Sequence, residues 1–310
     1  MRPLLFLLLT GLLLPSLLQA ATPRVLVSIK PIHSLTTAVM AGVATPQLLI
    51  SGAGSPHGYA LRPSEARLIN EADMVIWVGE ELESFLVRPL LNLPQETVSI
   101  SLTAGLPQHL LSVRAGGTWE GHDHAHDDHE HSGEHHDDHA TKDPHLWTSP
   151  LVARDIVRLI ADGLMAMDPA HADTYAGNAA ELIARLEAFH LELKARLQPV
   201  ADVPYIVFHD AYQYFERDFA VNAIGSVTVD AERAPGVKRV MEIRDKIREL
   251  DARAVFSEPQ FQSRIVTTII EGTGARTGIL DPMGTDLPAG SETYFILVRQ
   301  LADELLRVLR

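Results

Sequence analysis

Histidine and acidic residues are concentrated in one short segment of the chain, residues 120–139. Its histidines are His122, His124, His126, His129, His131, His135, His136 and His139. Its carboxylates are Glu120, Asp123, Asp127, Asp128, Glu130, Glu134, Asp137 and Asp138. Imidazole is the commonest metal-binding side chain, and a segment with almost no apolar residue cannot fold by itself. We therefore predict a disordered loop, 120–140, that binds divalent ions weakly; the alternatives are a solvated acidic linker or an expression tag, which would lie at a terminus.

Three histidines outside this segment are candidates for a tighter metal site. His57 lies in a turn-rich loop after a predicted strand, His145 lies where the His-rich segment ends, and His209 ends another predicted strand. Asp281 ends a fourth candidate segment, the predicted strand 277–281. Ligands of open α/β sheets bind beyond the carboxyl ends of the strands. Three imidazoles and one carboxylate in a tetrahedral arrangement suit zinc.

The remaining histidines outside the His-rich segment are weaker candidates for metal ligands. A single histidine is most often a buried residue hydrogen-bonded to the backbone, and we interpret His171 and His190, on predicted helices, in this way. His109 lies in a polar connection and receives no role. His33 follows the first predicted strand, where it would support a metal ligand or have no role.

The elements that would position these residues alternate between strand and helix. Strands are predicted at 25–30, 47–50, 73–79, 97–100, 204–209, 220–224, 254–257 and 277–281. Helices are predicted at 31–41, 63–71, 82–91, 150–167, 172–197, 211–219, 237–250, 264–273 and 292–309. Such alternation predicts an α/β fold of two lobes, each a parallel sheet flanked by helices, joined by a long helix. The expected division is an N-terminal lobe 21–168, a linking helix 169–199 and a C-terminal lobe 200–310.

Composition and the N-terminus predict the compartment. Residues 1–20 have a short basic start and an apolar run, and small residues follow at Ala20 and Ala21, which is typical of a signal peptide cut after Ala20. The chain contains no cysteine, so it has neither a lipid-anchoring cysteine nor disulfides. The net charge of −14 argues against nucleic acid as a partner. We expect a freely soluble periplasmic protein.

The chain resembles the periplasmic solute-binding proteins that deliver zinc or manganese to ABC transporters, and is most similar to their zinc-binding members. The resemblance covers essentially the whole mature chain. The motifs that carry it, besides the His-rich segment, are Ser28-Ile29-Lys30-Pro31, Ser55-Pro56-His57, Leu61-Arg62-Pro63-Ser64, Asp143-Pro144-His145-Leu146-Trp147, Phe208-His209-Asp210, Glu258-Pro259-Gln260 and Leu280-Asp281-Pro282-Met283-Gly284.

The resemblance implies a site and a role. His57, His145 and His209 would be metal ligands, and Asp281 would be a ligand or a neighbour of the metal. Manganese members carry Glu in place of His209, and some zinc members carry a ligand Glu where Pro56 stands, so Asp281 or water would complete the shell. Some members also carry a disulfide in the second lobe, which this chain cannot form. The implied protein is a monomer, not an enzyme, that binds Zn²⁺ with high affinity and delivers it to an inner-membrane ABC permease, while its linking helix limits lobe motion.

Two other functions stay open from the sequence. A secreted zinc hydrolase would also use three protein ligands and would need a general base such as Glu258 or Asp210, although no HExxH motif is present. A periplasmic zinc buffer or metallochaperone without a permease would share every feature of the sequence. Adjacency to genes for an ATPase and a permease would discriminate it from a transport component.

Overall fold

Two parallel sheets, one in each half of the chain, form the framework of the protein. The computed structural model describes residues 22–52, 54–114, 119, 142–228, 235–261 and 263–310. Within these ranges each sheet has four strands. The predicted signal peptide, 1–20, and the predicted metal-binding loop, 120–140, fall outside the described residues.

The first sheet contains the short strands β1 (Val25–Val27), β2 (Gln47–Leu48), β3 (Met74–Trp77) and β4 (Val98–Ser101). The strands are parallel and lie in the order β2-β1-β3-β4. The helices of this half are α1 (Lys30–Val39), α2 (Pro63–Glu71), α3 (Ser84–Leu91) and α4 (Leu102–Gly105). β1 is buried along its whole length, as expected for a central strand whose two faces are covered.

Two long helices follow, α5 (Pro150–Met167) and α6 (Ala172–Leu197). α5 begins at a proline, which the first helical turn tolerates, and the Ser149 side chain accepts a hydrogen bond from the amide of Val152. α6 buries a stripe of residues spaced mainly by three and four: Tyr175, Ala179, Leu182, Leu186, Phe189, His190, Leu193 and Leu197. Both helices have the bounds that the sequence pattern predicts.

The second sheet repeats the topology of the first. Its strands are β5 (Tyr205–His209), β6 (Ala223–Thr228), β7 (Ala254–Ser257) and β8 (Arg276–Ile279), parallel and in the order β6-β5-β7-β8. Its helices are α7 (Gln213–Phe219), α8 (Val237–Glu249), α9 (Ser263–Ile270) and α10 (Thr293–Leu309). The predicted fold class, two α/β lobes with a long helix between them, is confirmed.

The two lobes share a hydrophobic core. The larger cluster of buried residues contains side chains of both sheets, and α10 packs against both α1 and α6. Alternation along β5 places Tyr205 and Val207 in this shared cluster and Ile206 and Phe208 in a second cluster with residues of α8 and α9. Since the core is continuous, the division into domains at residues 168 and 199 stays a prediction.

Among the described strands β7 alone keeps its predicted bounds, and the shifts of two others, β6 and β8, have identifiable causes. β6 starts at Ala223 rather than at residue 220, because Ala220 adopts a left-handed conformation (φ 54°) that ends α7. β8 ends at Ile279, so Asp281 lies in the turn beyond the strand. There its carboxylate accepts hydrogen bonds from the amides of Met283 and Gly284, which closes the turn.

Candidate metal centre

His57 reaches the cleft from the loop between β2 and α2. Ser55 Oγ accepts a hydrogen bond from the backbone amide of His57 at 3.3 Å. Farther along the loop, the two carboxylate oxygens of Glu65 accept hydrogen bonds from the Tyr59 hydroxyl and the Arg62 amide, each at 2.7 Å. The loop that carries His57 is therefore tied to the first turn of α2.

His145 lies just before α5, and its ring is held from behind. Asp143 Oδ1 accepts hydrogen bonds from the backbone amide of His145 at 2.9 Å and from its Nδ1 at 2.8 Å. The His145 carbonyl accepts a hydrogen bond from Thr148 Oγ1. Only 5% of His145 is exposed. With a proton on Nδ1, the other ring nitrogen, Nε2, is free to bind a metal.

His209 ends β5, and its partner comes from the neighbouring strand β7. Glu258, the residue after β7, accepts a hydrogen bond from His209 Nδ1 at 2.5 Å. β5 and β7 lie side by side, and the chain leaves them toward opposite edges of the sheet. This is the switch point at which open α/β sheets bind their ligands.

The three imidazoles converge on one point. His145 Nε2 lies 3.2 Å from His57 Nε2 and 3.4 Å from His209 Nε2. Among the described residues, these three form the group whose metal-binding atoms all lie within 4.8 Å of one another. The cavity around them is lined also by Trp147, Phe261 and Met283. Three imidazole nitrogens in a small, largely apolar cavity suit Zn²⁺, which takes four ligands.

The electrostatics of the site favour neutral imidazole in two of the three positions. Burial lowers the pKa of His57 well below its usual value, and so does the proximity of the other two rings. Burial also lowers the pKa of His145 well below its usual value. Burial acts in the same direction on His209, but the charge and hydrogen bond of Glu258, together with the charges of two nearby aspartates, outweigh it, so the pKa of His209 is raised. His57 and His145 are therefore free of competing protons at neutral pH.

Asp281 is not brought into this group. Its Oδ1 accepts hydrogen bonds from Met283 N and Gly284 N, each at 3.0 Å, and its Oδ2 accepts one from Thr285 N at 2.5 Å. Gln260 Nε2 donates a further bond to Oδ1 at 3.3 Å. The carboxylate is thus engaged by the turn that follows it.

The other histidines lie elsewhere. His33 is buried in α1, where its Nε2 is within 3.0 Å of the Pro46 carbonyl. His109 pairs with Asp155. The expected backbone hydrogen bonds of His171 and His190 are not found within the described part of the chain: His171 is half-buried and pairs with the Asp168 carboxylate, and His190 is buried and stacks on Phe219. The eight histidines of the predicted loop lie outside the described residues.

The roles of Asp143 and Glu258 as orienting partners of the ligands were missed by sequence reasoning. Asp143 could have been found, because it lies two residues before a candidate ligand. Glu258 was considered only as a catalytic base, and its pairing with His209 depends on the order of strands in the sheet. Asp210, the other candidate base, is paired with Arg114, which also contacts Glu216. Both carboxylates are thus engaged by side chains of the fold.

The two-lobed α/β fold and the three imidazoles in the interlobe cleft define the class of metal-binding solute-binding proteins. The family model described as zinc-uptake complex component A, periplasmic (ZnuA), matches residues 25–308. The chain belongs to the ZnuA family, which consists of periplasmic solute-binding components of zinc-uptake systems and not of enzymes. Among the described helices, none combines the length and the apolar character that crossing a bilayer needs.

Curated relatives and solved structures agree with this assignment. The high-affinity zinc uptake system protein ZnuA of Brucella abortus is 43% identical, with 91% of this chain and 90% of that protein covered. The protein of the same name from Yersinia pestis is 32% identical, with 97% and 96% covered. A crystal structure of ZnuA has a TM-score of 0.76 at 23% identity, covering 94% of this chain and 100% of that one. A mutant structure of the laminin-binding adhesin of Streptococcus agalactiae has a TM-score of 0.76 at 24% identity, with 93% of this chain and 100% of that one covered. Both structures show the fold alone.

Proposed function

We propose that the protein captures one Zn²⁺ in the interlobe cleft on His57, His145 and His209 and delivers it to an inner-membrane ABC permease. The observation that carries the proposal is the convergence of the three Nε2 atoms, with all three metal-binding atoms within 4.8 Å of one another. The ring nitrogens at the back of His145 and His209 bind carboxylates, which fixes the rings for metal binding. Zinc is the cargo of this protein and not a resident cofactor.

For the fourth coordination position we favour water over Asp281. The Asp281 carboxylate would have to give up hydrogen bonds to three backbone amides to reach the metal. Leaving a buried amide without an acceptor costs about 1–3 kcal/mol, so the loss of three acceptors at partly buried amides opposes this change. An open fourth position also provides a route by which an incoming ligand of the permease displaces water and takes over the ion.

The shared core supports limited motion of the lobes during capture and release. The long helix α6 packs against α5, α1 and α10, so it contacts elements of both halves. A rigid framework of this kind leaves the cleft loops as the parts that move when zinc enters. We propose that the chain acts as a monomer, since the site draws all three imidazoles from one chain.

The proposal is tested on untagged protein purified without chelators. Elemental analysis and calorimetric titration of a variant lacking residues 120–139 should show one tightly bound zinc per chain. Zinc-limited growth of a strain lacking the protein should be restored by the wild type only when the permease is present. Growth restored without the permease would instead support a periplasmic buffer or metallochaperone, and a chain that binds no zinc would refute the site.

A further inference from the structure

Lys30 is a buried cation whose three partners belong to the opposite half of the molecule. It starts α1 in the first lobe and is only 5% exposed. Its Nζ donates hydrogen bonds to the backbone carbonyls of Gly284, Thr285 and Leu287 at 2.7, 2.8 and 2.8 Å. An ammonium group has three N–H donors, so each has an acceptor here. The positive charge is therefore committed entirely to the loop that follows β8.

The amides of the same loop face a negative charge. Asp281 accepts hydrogen bonds from the backbone amides of Met283, Gly284 and Thr285. Gly284 makes the turn in a left-handed conformation, with φ of 63°, which favours glycine. The loop is thus held by a carboxylate on its amide side and by an ammonium group on its carbonyl side, and the ammonium group comes from the other lobe.

This loop forms one wall of the metal centre. Pro282 and Met283 line the cavity that contains the three histidines. The Pro282 carbonyl also accepts a hydrogen bond at 2.8 Å from Nε1 of Trp147, which lies two residues after the ligand His145. The position of the wall relative to the imidazoles is therefore set by contacts from both sides of the cleft.

We infer that Lys30 is a positioning residue that holds the wall formed by Pro282 and Met283 over the zinc site and thereby slows zinc release. The inference rests on the proposed function, since zinc is the ion whose release it governs. Without the ammonium group the three carbonyls need other donors, and water is the available one. Water enters when the wall moves outward, and this movement opens the route by which the ion leaves.

The test compares Lys30→Met with a matched variant of the same helix. Methionine fills a similar volume but donates no hydrogen bond. Thr36→Val is the control, because the buried Thr36 hydroxyl donates its hydrogen bond within α1, to the Ile32 carbonyl. Zinc release into excess chelator is followed by stopped flow, and the absorption spectrum of bound Co²⁺ reports the ligand set. Hydrogen bonds from a charged group are strong, so we expect Lys30→Met to release zinc about tenfold faster or more, with the Co²⁺ spectrum unchanged.

A second measurement needs no variant. In the wild type, the amides of Met283, Gly284 and Thr285 should exchange hydrogen slowly, because each is bonded to Asp281 in a loop held from both sides. A wild-type release rate in Lys30→Met, or exchange of these amides as fast as in exposed loops, would overturn the inference. A changed Co²⁺ spectrum in Lys30→Met would also overturn it, by showing that Lys30 acts on the ligands themselves. Failure of the proposed function is distinguishable, because the wild type would then bind neither zinc nor Co²⁺ in the cleft.

Discussion

His209 and Glu258 are 49 residues apart in the chain, yet His209 Nδ1 lies 2.5 Å from Glu258 Oε1 because their strands are neighbours. Both side chains are buried, with His209 4% and Glu258 3% exposed. The carboxylate fixes the ring and the tautomer of His209, so that Nε2 points at His145. A buried carboxylate that would otherwise be costly is thus stabilised by the ligand that it orients.

Replacing Glu258 with Gln should weaken zinc binding by about 10- to 100-fold, the usual effect of losing the carboxylate behind a histidine ligand. Because the charge of Glu258 raises the pKa of His209, the variant should also move proton competition at His209 to lower pH. Calorimetric titration over a range of pH measures both effects. Glu216→Gln is the control, since Glu216 is also buried in the second lobe but pairs with Arg114. Equal losses in the two variants would contradict the orienting role.

Each of His57→Ala, His145→Ala and His209→Ala should weaken tight zinc binding by more than about 100-fold, since loss of a ligand should exceed loss of its orienting partner. The losses in double variants should be smaller than the sum of the single ones, because the three residues share one ion. Zinc titration of variants that also lack residues 120–139 measures binding in the cleft alone. His109→Ala, outside the group, should bind as the wild type does. Wild-type binding by all three ligand variants would show that the site is elsewhere.

Zinc affinity should fall in two stages as the pH is lowered. A ligand must lose its proton to bind the metal, so a raised pKa brings competition at higher pH and a lowered pKa delays it. The pKa of His209 is raised above 6.5, so as the pH is lowered the affinity should begin to fall while the pH is still above 6.5. The slope of this first stage should correspond to about one competing proton. The pKa values of His57 and His145 lie well below 6.5, so the steeper loss should come only at lower pH. Three protons competing together near pH 6.5 would disagree with the assignment.

His209→Glu should shift the preference of the site toward manganese, because a carboxylate suits the harder ion. The new carboxylate would face Glu258, and two neighbouring carboxylates disfavour each other's charged form. The shift should therefore be larger in the double variant with Glu258→Gln. Competition binding of the two metals measures the ratio, and His109→Glu is the control for added charge. An unchanged ratio in both variants would exclude His209 as the selectivity element.

Deleting residues 120–139 should lower the number of zinc ions bound but leave one tight ion and nearly the same thermal stability. The polar composition of this segment predicts that metal binding must order the chain, which costs roughly 1–2 kcal/mol per residue fixed, so its ions should be held more weakly. Titration and thermal unfolding test this. Replacing the eight histidines of the segment with Asn keeps length and carboxylates, and should match the deletion if imidazole is the ligand. Loss of the tight ion on deletion would make the segment itself the primary site.

Sequence patterns predicted α2, α5 and α6 at their observed bounds. Prolines at the first turns and the periodic stripe of α6 are local signals, read from residues close together in the chain. The same patterns missed the start of β6, because residue propensities do not reveal that Ala220 adopts a left-handed conformation. The three histidines were predicted as one site from their places after strands and from the family motifs, and the structure brings them together.

The sequence by itself determined the donors, three imidazoles without cysteine, and the alternation that makes two parallel sheets. Only the tertiary structure decided what surrounds those donors. Asp281 accepts hydrogen bonds from amides of its own loop, and Glu258 lies behind His209. Lys30 bonds carbonyls of the other lobe, among them that of Gly284, which is 254 residues away in the chain. The contacts of Glu258 and Lys30 depend on strand order and on the packing of one lobe against the other, whereas Asp281 bonds amides of the turn that follows it. Neither strand order nor lobe packing leaves a periodic trace in the chain, because each brings together residues that are distant in the sequence.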